Sequence, residues 1–116
     1  MNIEKFTDRA KGFLQAAQTI ALREQNQRVT TGHLLKALLD DDQGMASGLI
    51  AAAGGNAQRA RVAVDSAVAR LPKVSGSGAQ MQWDQDVARL LDQAEQIATK
   101  AGDSFVTVER LLLALA

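Results

Sequence analysis

A duplication constrains this chain more than any other feature. The segment Val29-Thr30-Thr31-Gly32-His33-Leu34-Leu35-Lys36-Ala37-Leu38 returns 77 residues later as Val106-Thr107-Val108-Glu109-Arg110-Leu111-Leu112-Leu113-Ala114-Leu115. The offset holds without a gap back to Phe6 and Trp83, and Leu14, Ala17, Ile20 and Ala21 reappear as Leu91, Ala94, Ile97 and Ala98. A period of this length is the signature of a repeated supersecondary unit, so the fold has to be read as two copies of one design.

Within each copy the apolar residues recur at helical spacing. Thr7 is an N-cap candidate, with Asp8 favourably placed at the positive helix end. Phe6, Ala10, Phe13, Leu14, Ala17, Ile20 and Ala21 then form one stripe, and the spacing predicts a helix ending near Gln25 or Asn26. Thr30 caps a second helix that buries Leu34, Leu35, Leu38 and Leu39. Asp40, Asp41, Asp42 and Gly44 end it. Carboxylates oppose the dipole at a helix C-terminus, so they are expected to open the next helix. That third helix carries Met45, Leu49 and Ile50 and stops at Gly54-Gly55, where glycine accepts a left-handed conformation. Asn56 caps a fourth, with Ala57, Ala60, Val64, Ala67, Val68 and Leu71 on one face, and Pro72 ends it. Residues 72–82 read as a Gly/Ser-rich linker. The first helix then returns after Trp83, with Asp84 as cap and Gly102 as stop, and the second returns after Thr107. Phe6 and Trp83 are each expected to act as a hydrophobic staple.

The class is therefore all-α: two tandem helical repeats related by a pseudo-twofold, each burying the leucine face of the other. Repeat one spans 6–71 and a partial repeat two spans 83–116. The counterparts of residues 44–71 would fall at 121–148, so the second repeat is expected to be truncated after its second helix. Leu111 to Leu115 should then be partly exposed or covered by a neighbouring chain.

Composition narrows the chemistry. Thirteen basic and thirteen acidic residues balance, so a phosphate-neutralising nucleic-acid binder is not expected. Cysteine is absent, which removes disulfides, thiolate metal sites and cysteine nucleophiles. No signal peptide or membrane-spanning run is legible, and a soluble cytoplasmic protein is expected. His33 is the one histidine, with no second ligand or acid at catalytic spacing, and reads as structural. The Asp40-Asp41-Asp42 run lacks the closing glutamate of a calcium loop and reads as a turn. Ser75-Gly76-Ser77-Gly78 opens no βαβ unit and cradles no phosphate. No catalytic set and no metal cluster emerge, and the chain is not expected to be an enzyme. What remains is apolar groove surface, suited to a segment of another protein.

Several stretches then carry a resemblance: Phe6-Thr7-Asp8-Arg9-Ala10, Ile20-Ala21-Leu22-Arg23, Thr30 through Leu39, Ala53-Gly54-Gly55, Leu71-Pro72-Lys73-Val74 and Gly102-Asp103-Ser104-Phe105-Val106. Together they resemble the N-terminal Clp repeat domain, most closely that of the ClpB-type protein disaggregases, over essentially the whole chain. The resemblance implies a substrate-recognition domain of an ATP-dependent AAA+ chaperone. It implies binding of apolar stretches of unfolded or aggregated proteins for delivery to the pore of a homohexamer, in cooperation with the DnaK chaperone system. ATP and magnesium would belong to the ATPase modules of the full-length protein, with no cofactor in this domain. Thr7, Asp103 and Glu109 match residues of functional importance in the family, and the bland alternative gives them helix-start and loop roles. Leu91 and Ile97 match the family's apolar groove, though Leu91 equally fits a core position. Gln93 and Arg110 are polar where relatives carry leucine. An alternative within the same resemblance is the adaptor-docking domain of a protease-coupled ClpA- or ClpC-type unfoldase.

Overall fold

The computed structural model describes residues 3–41, 44–71, 73 and 82–115. Among them are six α-helices: α1 Asp8–Arg23, α2 Thr31–Leu39, α3 Met45–Ala52, α4 Ala57–Ala69, α5 Gln85–Lys100 and α6 Val108–Leu115. A short 3-10 helix, Ile3–Lys5, precedes α1. The all-α class is what the repeat predicts, with one addition. Two strands of two residues, β1 Arg28–Val29 and β2 Gln82–Trp83, pair in parallel.

These strands show how the copies are joined. Trp83 pairs with Val29, and Phe6 forms a parallel bridge with Val106. Phe6 and Val29 stand at the same repeat positions as Trp83 and Val106, so the two contacts are one contact with the copies exchanged. The hydrogen bonds repeat as well: Thr7 N–H donates to Val106 O at 3.0 Å and Asp84 N–H donates to Val29 O at 2.9 Å. Such reciprocity, in which i meets j and j meets i, is the mark of an approximate twofold relation. It also corrects the reading of Phe6 and Trp83 as staples. Phe6 is buried in the core, Trp83 is half-buried, and both are pinned by backbone pairing across the repeat junction.

The core lies between α1, α2, α5 and α6. It holds Leu14, Ala17, Ile20 and Ala21 with their counterparts Leu91, Ala94 and Ala98, and Leu34 and Leu38 with Leu111. α4 closes one side of α2 with Val64 and Val68. The approach is close at Gly32, where an added Cβ would stand 3.6 Å from Val68 and 3.9 Å from Val64. Ala67 was expected on this face but is exposed.

Caps follow the sequence in part. Thr7 Oγ1 accepts from Ala10 N–H at 3.2 Å, and Asn56 Oδ1 from Arg59 N–H at 3.0 Å. Asp84 holds the N-cap position of α5 without a side-chain capping bond; its carboxylate pairs with Arg28 at 3.4 Å instead. Asp40 and Asp41 do not open α3. Asp41 is paired with Arg9 at 2.8 Å, and Asp40 with Arg61 at 3.4 Å, so cations offset their charge at the C-terminal end of α2. The N-cap of α3 is Gly44, in a left-handed conformation. Asp42, Pro72 and 74–81 lie outside the described residues, so most of the expected linker does too. At its flanks, Lys73 bridges to Asn26 and Gln82 pairs with Arg28.

Candidate functional site

The site is built on the two turns that launch α2 and α6. Each preceding helix ends in the same hydrogen-bonded motif. Asn26 N–H reaches Ala21 O at 2.9 Å and Gln25 N–H reaches Leu22 O at 3.1 Å; Asp103 N–H reaches Ala98 O at 2.9 Å and Gly102 N–H reaches Thr99 O at 3.0 Å. This is the Schellman arrangement, which requires a left-handed residue after the cap. Gly102 supplies it at φ 81°, and Gln25 at φ 60°. Helix α1 therefore ends at Arg23, earlier than the apolar stripe suggests, because Gln25 is already outside it.

The residue after each left-handed position then bonds to the third residue of the next helix, but the chemistry differs. In the first copy, His33 Nε2 lies 2.9 Å from Asn26 Oδ1, and Thr30 N–H donates to His33 Nδ1 at 2.9 Å. A backbone N–H can only donate, so Nδ1 is the acceptor and the proton sits on Nε2. His33 is fully buried, and burial lowers its pKa below the usual histidine value despite the Glu24 and Asp86 carboxylates, which raise it. Both ring nitrogens are occupied, which gives His33 the structural role read from sequence. In the second copy, Asp103 replaces Asn26 and Arg110 replaces His33. Arg110 Nε–H donates to Asp103 Oδ2 at 2.8 Å in a half-buried ion pair. A neutral buried link has become a charged one at the surface.

Beyond these turns, the faces of α2 and α6 diverge. Gly32 in α2 packs under α4, whereas its counterpart Glu109 is exposed. Leu111 is fully buried, but Leu113 is 52% exposed. An apolar groove of about 490 Å³ runs between α2, α3 and α6, lined by Leu35, Leu49, Ile50, Leu113 and Leu115 with Glu109 on its wall. A second, more polar depression of about 300 Å³ lies on the other side of Leu113, lined by Gln93, Ile97, Lys100 and Ala114 among others. Leu113 is the ridge shared by both.

Ile97 and Glu109 are thus brought to either side of one exposed leucine. Leu91 is not: at 3% exposure it belongs to the core, beside its repeat twin Leu14. Thr7 is half-buried as a helix cap and is tied through its backbone to Val106, the residue that starts the α6 turn. Asp103 is half-buried and committed to Arg110, so neither Thr7 nor Asp103 lines either groove. Leu113 lies in the stretch expected to be partly exposed, whereas the surface placement of Leu35 and Leu49 was not read from the sequence. Leu35 was assigned to the buried side of its helix, yet it is half-buried, and Leu49, placed only within the third helix, is 43% exposed. The available signal was the apolar excess of the eight-residue α3, which has more apolar surface than one packing face consumes. No group of three or more metal-ligating side chains is found among the described residues.

Comparison with known proteins places this geometry. The family model described as the Clp repeat (R) N-terminal domain matches residues 5–116. The chain is 58% identical over 116 residues to the chaperone protein ClpB of Rhizobium meliloti (strain 1021), covering 100% of this chain and 13% of that protein. It is 56% identical over the same length to ClpB of Agrobacterium fabrum, again covering 13% of it. The crystal structure of the Hsp104 N-terminal domain from Candida albicans superposes with a TM-score of 0.85 at 22% identity, over 97% of this chain and 73% of that one. That likeness supports the fold, and the family match supplies membership. With its duplicated cap-and-leucine segment, its reciprocal junction and this match, the chain belongs to the Clp repeat (R) N-terminal domain family.

Proposed function

We propose that this domain recognises apolar segments of unfolded or aggregated proteins and hands them to the AAA+ modules of the same polypeptide. The carrying observation is the apolar groove flanked by the exposed Leu113 and Leu49. A surface leucine standing alone is ordinary, but several lining one concavity mark an interaction site. The relatives similar to this chain are named ClpB chaperones, which supports a disaggregase setting, with a homohexameric ATP- and magnesium-dependent ring and the DnaK system as partners in the bacterial cytoplasm. Among the described residues no helix is long and apolar enough to cross a membrane.

In this reading Glu109, Leu113 and Ile97 contact the ligand. Thr7 and Asp103 hold the α6 turn in place, and Leu91 acts from the core. The test is a titration of the isotopically labelled domain with a reduced, alkylated protein that cannot refold, followed by NMR. Shifts should concentrate on Leu35, Leu49, Ile50, Ile97, Glu109 and Leu113, with weak affinity because the ligand loses conformational freedom on binding. Shifts confined to the outer face of α4, at Arg59, Val62 and Arg70, would exclude this surface. Equal shifts with a folded protein of similar size would favour the adaptor-docking alternative.

A further inference from the structure

The imidazole of His33 spans strand β1. Its Nε2–H donates to the Asn26 side chain at 2.9 Å, and its Nδ1 accepts from Thr30 N–H at 2.9 Å. Asn26 and Thr30 stand on either side of Arg28–Val29, so one fully buried ring fastens both ends of the segment that carries the strand. That segment makes one of the two backbone contacts between the repeats: Val29 O accepts from Asp84 N–H at 2.9 Å, and Gln27 O from Gln82 N–H at 3.0 Å. The other contact, Phe6 with Val106, follows the turn held by Asp103 and Arg110, which contains no histidine. Histidine alone among side chains ordinarily changes charge between pH 5 and 8, so acid acts on the two contacts differently.

A proton added to His33 has one place to go. Nε2 already carries a hydrogen, so the proton adds to Nδ1, and the ring then faces Thr30 N–H donor to donor. Thr30 Oγ1, 3.0 Å from Nδ1, can accept the new N–H, but Thr30 N–H is left without its partner at the end of β1. The surrounding charges do not remove this conflict. Asp86 of α5 accepts from Thr31 Oγ1 at 3.0 Å, Glu24 at the end of α1 pairs with Lys73 at 3.3 Å, and Arg28 pairs with Asp84 at 3.4 Å. α4 brings Val64 and Val68 to the neighbouring Gly32. The Glu24 and Asp86 carboxylates favour the imidazolium, and burial outweighs them.

We propose that protonation of His33 unfastens β1 from β2 and leaves the Phe6–Val106 contact closed, so that mild acid loosens the junction of the repeats on one side only. The repeats stay joined through the second contact while the first opens.

Backbone amide exchange of the labelled protein at pH 7.5 and 5.5, corrected for the chemical exchange rate, tests this. Protection of the Asp84 and Gln82 amides should fall severalfold at the lower pH. The ceiling is about tenfold, because one proton taken up at an ordinary histidine value of about 6.5 shifts the opening equilibrium no further over that interval. The Thr7 and Val106 amides, which donate to Val106 O and Lys5 O, are the internal control and should keep their protection. His33→Gln should leave Asp84 and Gln82 with the same protection at both pH values. Should that variant not fold, the difference between the two pairs of amides in the unaltered protein decides alone. Equal loss at both contacts means that the proton acts on global stability, and it overturns the proposal. So does unchanged protection at Asp84 and Gln82, and so does a loss that persists in folded His33→Gln, which would place the proton on Glu24 or Asp86.

Discussion

His33 and Arg110 occupy matching places in the two copies, and their surroundings decide how much each contributes. The imidazole is sealed between Asn26 and Thr30, so removing one partner strands a buried donor or acceptor. Asn26→Ala should cost about 1–3 kcal/mol on that ground. Asp103→Ala removes a pair whose two side chains are about one-third exposed and should cost only about 0.2–1 kcal/mol. Urea unfolding followed through the single tryptophan, Trp83, separates the two. The pH dependence has a definite sign. Burial depresses the folded-state pKa of His33, so the unfolded chain binds more protons as the solution is acidified. The stability is present above the unfolded value, about 6.5, and falls as pH drops through that value toward the folded one. Unfolding free energy should therefore be lower at pH 5.5 than at pH 7.5. No second histidine titrates in that window, and His33→Gln should flatten the slope whatever its own cost. Gln25 carries the opposite lesson. It sits in a left-handed conformation that glycine adopts freely at position 102. Gln25→Gly should raise stability by about 0.5 kcal/mol, the relief of left-handed strain partly offset by glycine's entropy. Gly102→Ala should lower it by about 1 kcal/mol.

At the scale of elements, α2 and α6 begin alike and finish differently. α2 is covered by α4 through Gly32, while the corresponding part of α6 offers Glu109 and Leu113 to solvent. This divides the leucines of one short helix by function. Leu111→Ala empties a fully buried site and should cost about 2–5 kcal/mol, as should Leu91→Ala. Leu113→Ser should leave unfolding free energy within about 0.5 kcal/mol, because its side chain is already half in water. The helices themselves were legible from apolar spacing, and so were the glycine stop of α3 at Gly54 and the caps at Thr7 and Asn56. The junction was not. Parallel pairing of two residues has no periodicity to detect, and Phe6 and Trp83 look like staples until the partner strand is placed. The roles of Asp40, Asp41 and Asp84 were misread for a related reason. A local rule assigns a carboxylate to the nearest helix end, but Arg61, Arg9 and Arg28 arrive from elsewhere in the fold to claim it.

For the whole molecule, duplication gives a frame in which copies can be compared position by position. Both copies keep the same core residue at Leu14 and Leu91 and at Leu34 and Leu111, whereas Ile20 and Ile97 match although only Ile20 is buried. They differ at Gly32, which packs under α4, and at its counterpart Glu109, which is exposed. That comparison was available in the sequence. It does not expose Leu91, which the repeat itself marks as core by matching it to Leu14. Nor does it reveal Leu49, whose exposure depends on how α3 lies over α2. The central claim is that apolar segments bind across the exposed ridge of α6, and Leu113→Ser tests it most directly. The Kd for a non-refolding protein, measured beside the unfolding free energy, should rise about tenfold for this variant, the loss of about 1.4 kcal/mol of apolar contact, with stability unchanged. An unaltered Kd in a folded Leu113→Ser domain would contradict the account.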